Sequence, residues 1–130
     1  MGESPELLQD LKPSPPSRGY IDGAFDLVHC GHFNAIRQAA LICDVLVVGC
    51  NSEEGIRNVK GPPVLTSAER GSIIDSCKWV NTCEKDTEYT LTEKVLDSFN
   101  CQFYIHGDDP CYSDDGVDMC QYLAGKGRFK

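Results

Sequence analysis

Apolar positions change their period several times along the chain, and each change marks an element. Residues 18–24, with Tyr20 and Ile21 at their centre, read as a first strand running into a glycine turn. From His32 onward, Phe33, Ile36, Ala40 and Cys43 recur at spacings of three and four, which predicts an amphipathic helix. Val45-Leu46-Val47-Val48-Gly49-Cys50 is then a continuous, mainly β-branched run. Such a run suits a strand covered on both faces of a parallel sheet. Strand, helix, strand of this length makes a right-handed βαβ unit. Residues 51–65, with Gly55, Gly61, Pro62 and Pro63, read as the longest irregular stretch, the kind of loop that carries function.

Thr66 followed by Glu69 has the spacing of a capping box, and opens a helix carrying Ala68, Ile73, Ile74 and Cys77. Residues 79–83 read as a short third strand, with Trp79 as a core anchor. Thr90 or Thr92 caps the next helix, which turns Leu91, Val95, Leu96 and Phe99 inward and stops at Asn100. Phe103-Tyr104-Ile105 is the fourth strand, residues 110–116 are loop, and residues 117–124 form a last short helix. No internal repeat is visible.

Strands alternating with helices give an α/β protein, a Rossmann-like three-layer α/β/α domain with a mainly parallel sheet. It spans residues 18–130, a length that suits one core. Residues 1–17 form a flexible N-terminal tail, because Pro13, Pro15 and Pro16 deny them a helix interior. Folds of this class bind ligands beyond the carboxyl ends of the strands.

Charge narrows the partners. A formal net charge of −8 argues against non-specific contact with nucleic acid, which needs a basic surface. It does not exclude a nucleotide, since local donors outweigh distant charge at physiological screening. No apolar run approaches the roughly 20 residues of a membrane span, and Glu3 and Glu6 stand where a signal peptide would be basic, so the expected location is the cytoplasm. The 8 cysteines include no Cys-x-x-Cys pair and several flank apolar runs, which fits free core thiols. His29, Cys30 and His32 could ligate zinc, but a further ligand pair at knuckle spacing is missing, so no metal site is expected.

Chemistry concentrates where strands end. Between the first strand and the first helix lies His29-Cys30-Gly31-His32, two imidazoles three positions apart at a helix start, where phosphate is attracted. An ordinary pair of turn histidines would look the same. Three further landmarks stand with it: Asp22-Gly23-Ala24-Phe25-Asp26 upstream, Lys60-Gly61-Pro62-Pro63 in the middle, and His106-Gly107-Asp108-Asp109 after the fourth strand.

In that order, and with Cys77-Lys78-Trp79-Val80 between them, these motifs resemble the cytidylyltransferase family of His-x-Gly-His nucleotidyltransferases, in particular its ethanolamine-phosphate branch. The resemblance runs from about Tyr20 to Lys130. It implies transfer of a cytidylyl group from CTP, accompanied by Mg²⁺, to phosphoethanolamine, within phosphatidylethanolamine synthesis. That places the protein in the cytoplasm, with a peripheral association with the endoplasmic reticulum open. His29, His32 and Lys60 are the implied catalytic donors to the CTP phosphates. Ala24, Phe25, His106, Gly107, Asp108 and Asp109 are implied nucleotide contacts, and Asp26 supports the turn. Asp22, Tyr89 and Tyr112 match positions that contact the amino-alcohol head in related choline enzymes, where a carboxylate beside aromatic rings suits an ammonium. Tyr89 and Tyr112 could equally be packing residues, Lys60 a solvated loop lysine, and one of Asp108 and Asp109 simple turn chemistry. A homodimer, or pairing with a second such domain, is also implied.

The resemblance has one departure. After Gly127-Arg128-Phe129 the family continues with another strand and an Arg-Thr-x-Gly motif that grips the triphosphate. The chain ends at Lys130, so the expectation is a domain incomplete at its C-terminus, with the fourth strand left at an open edge. A non-catalytic nucleotide-binding module therefore stands beside the enzyme reading. So does a transferase acting on phosphocholine or glycerol phosphate, or one moving an adenylyl group.

Overall fold

The computed structural model describes residues 15–107 and 110–130; Asp108, Asp109 and most of the expected tail lie outside them. The uninterrupted apolar run forms β2 (Val45–Asn51), buried at every position but the first. It is flanked by β1 (Arg18–Gly23) in a parallel register from Arg18↔Val45 to Gly23↔Cys50. On its other side runs β3 (Thr82–Thr87), and β4 (Phe103–Tyr104) pairs with the free side of β1. All pairings are parallel, and the order is β3-β2-β1-β4. The chain thus moves outward from β1 to β3, then returns to the opposite side of β1. This reversal lies between β1 and β4, where their C-terminal ends diverge and leave a crevice.

The helices are α1 (Cys30–Ala40), α2 (Glu53–Lys60), α3 (Ser67–Asp75), α4 (Glu93–Ser98) and α5 (Met119–Gly125). Strand side chains alternate between two cores. Ile21, Leu46, Val48 and Cys50 pack with Ile36 and Ala39 of α1 and Ile74 of α3. Tyr20, Val47 and Tyr104 pack with Val95 and Leu96 of α4 and Cys120 and Leu123 of α5. The sheet therefore lies between two helical layers, as the sequence pattern predicts. β4 offers only a two-residue ladder. Burial of Phe103 and Tyr104, at about 1.5–3 kcal/mol each, holds it in place more than its hydrogen bonds do.

Four expectations need correction. α1 begins two residues earlier than predicted, because His29 is its N-cap. Residues 51–65 are not irregular throughout: Ser52 caps α2 by accepting from Gly55 N–H, and Glu53 and Arg57 form an i,i+4 ion pair along it. The third strand lies later than residues 79–83. Trp79 falls in the turn after α3, partly buried against the α1 core, while β3 itself is a polar edge strand. The outer side of β4 is not bare either. Phe129 bridges to Tyr104 in parallel, with Tyr104 N–H donating to Arg128 O and Lys130 N–H to Tyr104 O, both 2.9 Å. Arg128 fixes that segment to α4 through Glu93 and Asp97. The capping box at Thr66 and Glu69 and the cap at Thr92 form as predicted. Among the described residues no helix is long and apolar enough to cross a membrane.

Candidate active site

A cavity of about 760 Å³ opens at the crevice between β1 and β4. Its wall includes Asp22, Ala24, Phe25, His32, Lys60, His106 and Gly107, so most landmarks of the sequence meet there. His29 is exposed and is not part of that wall; it reaches the cavity through His32, its ring neighbour at a centroid distance of 4.3 Å.

The two histidines form a reciprocal cap. His29 Nδ1 accepts from Gly31 N–H at 3.0 Å, and His32 Nδ1 accepts from His29 N–H at 3.2 Å. An Nδ1 that accepts carries no proton, so the proton of each neutral ring sits on Nε2, pointed away from the backbone. The Gly31 amide of the first turn is thereby occupied, and two Nε2–H groups stand at the helix start as donors. Burial, then the neighbouring His29, pushes the His32 pKa below its ordinary value, which favours the neutral ring. Gly31 is part of the device. A Cβ there would lie 2.7 Å from His29 Cε1, so any side chain would displace the ring from its cap.

The turn before α1 is unusual. Phe25 and Leu27 both have positive φ, 51° and 55°, a region non-glycine residues seldom enter. Asp26, between them, holds the strain: its carboxylate accepts from Val64 N–H at 2.8 Å and Leu65 N–H at 2.9 Å. Those bonds, foremost the one from Val64, lower the Asp26 pKa. Asp26 thus supports the turn and also ties it to the segment following α2. Phe25 is buried and meets the His32 ring edge-on at 6.2 Å.

Lys60 is the last residue of α2, and Gly61 at φ 91° ends the helix. α2 is anchored by a single buried side chain, Ile56. Asp22 is the penultimate residue of β1, with Oδ1 accepting from the Tyr104 hydroxyl at 2.6 Å. Burial raises the Asp22 pKa, partly offset by the Tyr104 bond and by His106. The cavity wall therefore combines imidazole and ammonium donors with a carboxylate.

Two predicted residues fall elsewhere. Tyr89 follows β3, at the far edge of the sheet from β4, and lines a separate hollow with Ser52, Glu54 and Asn58 beside α2. Tyr112 is 64% exposed and is not part of the main cavity wall. Sequence reading also missed Arg70. This residue of α3 is fully buried; its Nη1 donates to Ala24 O and to Asn51 O, both at 2.8 Å, clamping the ends of β1 and β2. No sequence signal marks a buried arginine on a helix, apart from its place next to the cap residue Glu69.

A parallel sheet with a histidine-capped helix beside its switch point defines a domain of the three-layer α/β/α class, its crevice placed where such folds take their ligands. The structure is similar to the crystal structure of a lipopolysaccharide core biosynthesis protein from Thermoplasma volcanium, with a TM-score of 0.71 and 19% identity over 88% of this chain and 92% of that one, a likeness of fold. A model described as cytidylyltransferase-like matches residues 20–124, and the chain belongs to that family. It is 45% identical over 115 residues to the ethanolamine-phosphate cytidylyltransferase of Dictyostelium discoideum, covering 88% of this chain and 32% of that protein. It is 43% identical over 124 residues to the enzyme of the same name from Arabidopsis thaliana, covering 92% and 30%. The chain thus spans about a third of the length of these relatives.

Proposed function

We propose that this domain transfers a cytidylyl group from CTP to phosphoethanolamine, giving CDP-ethanolamine and pyrophosphate. The observation that carries the reading is the reciprocal histidine cap on a cavity that also holds Lys60 and Asp22. The acceptor phosphate, with a second pKa near 6, is largely ionised at neutral pH and needs no general base. Its oxygen attacks the α-phosphorus, the bond to the β-phosphate bridge breaks, and pyrophosphate leaves. Catalysis is then a matter of placing two anions and stabilising charge as it shifts. His29 and His32 Nε2–H and the Lys60 ammonium supply donors that need little rearrangement. The backbone of Ala24 and Phe25, with His106 and Gly107, would frame the nucleotide. Asp22 gives the ammonium end of the acceptor an opposite charge.

Among the described residues no group of three or more His, Cys, Asp or Glu side chains stands ready to hold a metal ion. Mg²⁺ would enter on the CTP phosphates, which supply the oxygen ligands it prefers. The reaction would belong to phosphatidylethanolamine synthesis in the cytoplasm, near the endoplasmic reticulum, with a second such domain or copy as partner.

The test is to mix the protein with CTP, Mg²⁺ and, in turn, phosphoethanolamine, phosphocholine or glycerol phosphate. CDP-ethanolamine and pyrophosphate should form in equal amounts. CTP binding without any product would favour a non-catalytic nucleotide module, and faster turnover with either other acceptor would reassign the substrate.

A further inference from the structure

Asp22 and Tyr104 lie 82 positions apart, yet strand pairing brings them together. Tyr20 pairs with Tyr104 across β1 and β4, and Asp22, two residues on, projects from the same face of β1 as Tyr20. The Tyr104 ring is 2% exposed and packs in the core with Tyr20, at a centroid distance of 6.2 Å. The His106 ring also stacks with it, at 5.5 Å and 24°. The ring is thus held by two aromatic neighbours, and the hydroxyl ends on Asp22 Oδ1 at the cavity wall. A buried tyrosine needs an acceptor, but a backbone carbonyl would serve. Here the acceptor is a carboxylate, and among the described residues no lysine or arginine forms an ion pair with it. His106 and Asn51 also act on this carboxyl group, but neither is a fixed cation, and the cavity is where one can enter.

We propose that Tyr104 is a positioning residue that fixes the Asp22 carboxylate for a primary ammonium group, and so sets acceptor selectivity; this rests on the cytidylyl-transfer reading above. One carboxylate oxygen is occupied by the phenol, which fixes the rotation of the group and the direction of its remaining acceptor sites. A primary ammonium has three N–H donors and reads that direction. A quaternary ammonium has none and responds to charge alone. His106 acts with Tyr104 by keeping its ring from turning.

Tyr104→Phe removes the hydroxyl and little else. Calorimetry should show phosphoethanolamine binding weakened by about tenfold, the scale of a lost hydrogen bond to a charged group. Phosphocholine binding should change by less than about threefold, and CTP binding should stay as in wild type. In an Asp22→Asn background the same substitution should cost nothing further, because the group it orients is no longer a carboxylate. Equal losses for the two amino-alcohol phosphates, or full additivity with Asp22→Asn, would reduce Tyr104 to a packing residue and overturn the inference. Wild-type protein that binds CTP but neither phosphate would instead sink the functional reading itself. Should Tyr104→Phe fail to fold, 3-fluorotyrosine at position 104 keeps ring and hydroxyl. Its fluorine resonance should then move with phosphoethanolamine and not with phosphocholine, and a resonance unmoved by both overturns the inference.

Discussion

His29 and His32 cap the same helical turn through one another: His29 N–H donates to His32 Nδ1 at 3.2 Å, and the two rings meet at an interplanar angle of 62°. Neither can be removed without loosening the other. His29→Ala and His32→Ala should each lower the rate of CDP-ethanolamine formation by about 10²–10³, as for a lost preorganised donor. The double variant should be little worse than either single one, since the pair acts as a unit. Cys30→Ser should keep wild-type rates. Equal loss for the cysteine and histidine variants in steady-state assays would overturn the assignment.

The same cap makes stability depend on pH. The folded pKa of His32 lies below its ordinary value, so the unfolded chain binds the proton more readily. The contribution of this group is complete above the unfolded pKa of about 6.5 and fades as pH falls toward the lower folded value. Urea midpoints taken from pH 8 to pH 5 should therefore drop on the acid side. In His32→Gln that part of the slope should flatten. An unchanged slope would mean that another group is responsible.

Arg70 should be needed for the fold of the site more than for its chemistry. Its guanidinium reaches Ala24 O and Asn51 O from one nitrogen, and Arg70 Nε donates toward Leu65 O at 3.4 Å. A lysine ends one bond short of Nη1 and has no Nε donor. Arg70→Lys should leave at least one strand-end carbonyl buried without a donor and cost about 1–3 kcal/mol by denaturant unfolding. A cost within about 0.5 kcal/mol, typical of surface sites, would show that the clamp is dispensable.

Lys60 should approach the nucleotide as α2 settles. The helix has one buried anchor and ends at a glycine, so it belongs to the less stable parts of the domain. Tryptic cleavage after Arg57 and Lys60 should slow when CTP and Mg²⁺ are added. Lys60→Ala should raise the KM for CTP and lower turnover. Unchanged cleavage at confirmed CTP occupancy would make Lys60 an ordinary surface lysine.

The parts of this fold that sequence reveals are those that repeat a physical signal. β2 is legible because burial on both faces demands an apolar run, and α3 because Thr66 and Glu69 stand at the spacing their reciprocal bonds require. α2 was hidden by Gly55, Gly61 and its neighbouring prolines, although Ser52, Glu53 and Glu54 are good helix-start residues. β3 was displaced because an edge strand with one neighbour can be polar, while the apolar Trp79 and Val80 belong to a turn. The meeting of Asp22, His32, Lys60 and His106 was legible as motifs at strand ends. Arg70 was not, since a charged helix residue normally faces water. The separation of Tyr89 from the cavity was invisible as well, because it depends on strand order.

That strand order bears on how the domain comes into being. During synthesis β1, β2 and β3 can pair as they emerge, each beside the last. The side of β1 that will receive β4 stays uncovered until Tyr104 appears, 82 positions after Asp22. At ribosomal speed this is a wait of roughly 4–16 s. Through that interval the nascent chain carries an open strand edge in the middle of its future sheet, next to the floor of the cavity. This interval, rather than the finished molecule, is where mispairing with a neighbouring chain is most exposed, and where a chaperone has most to protect.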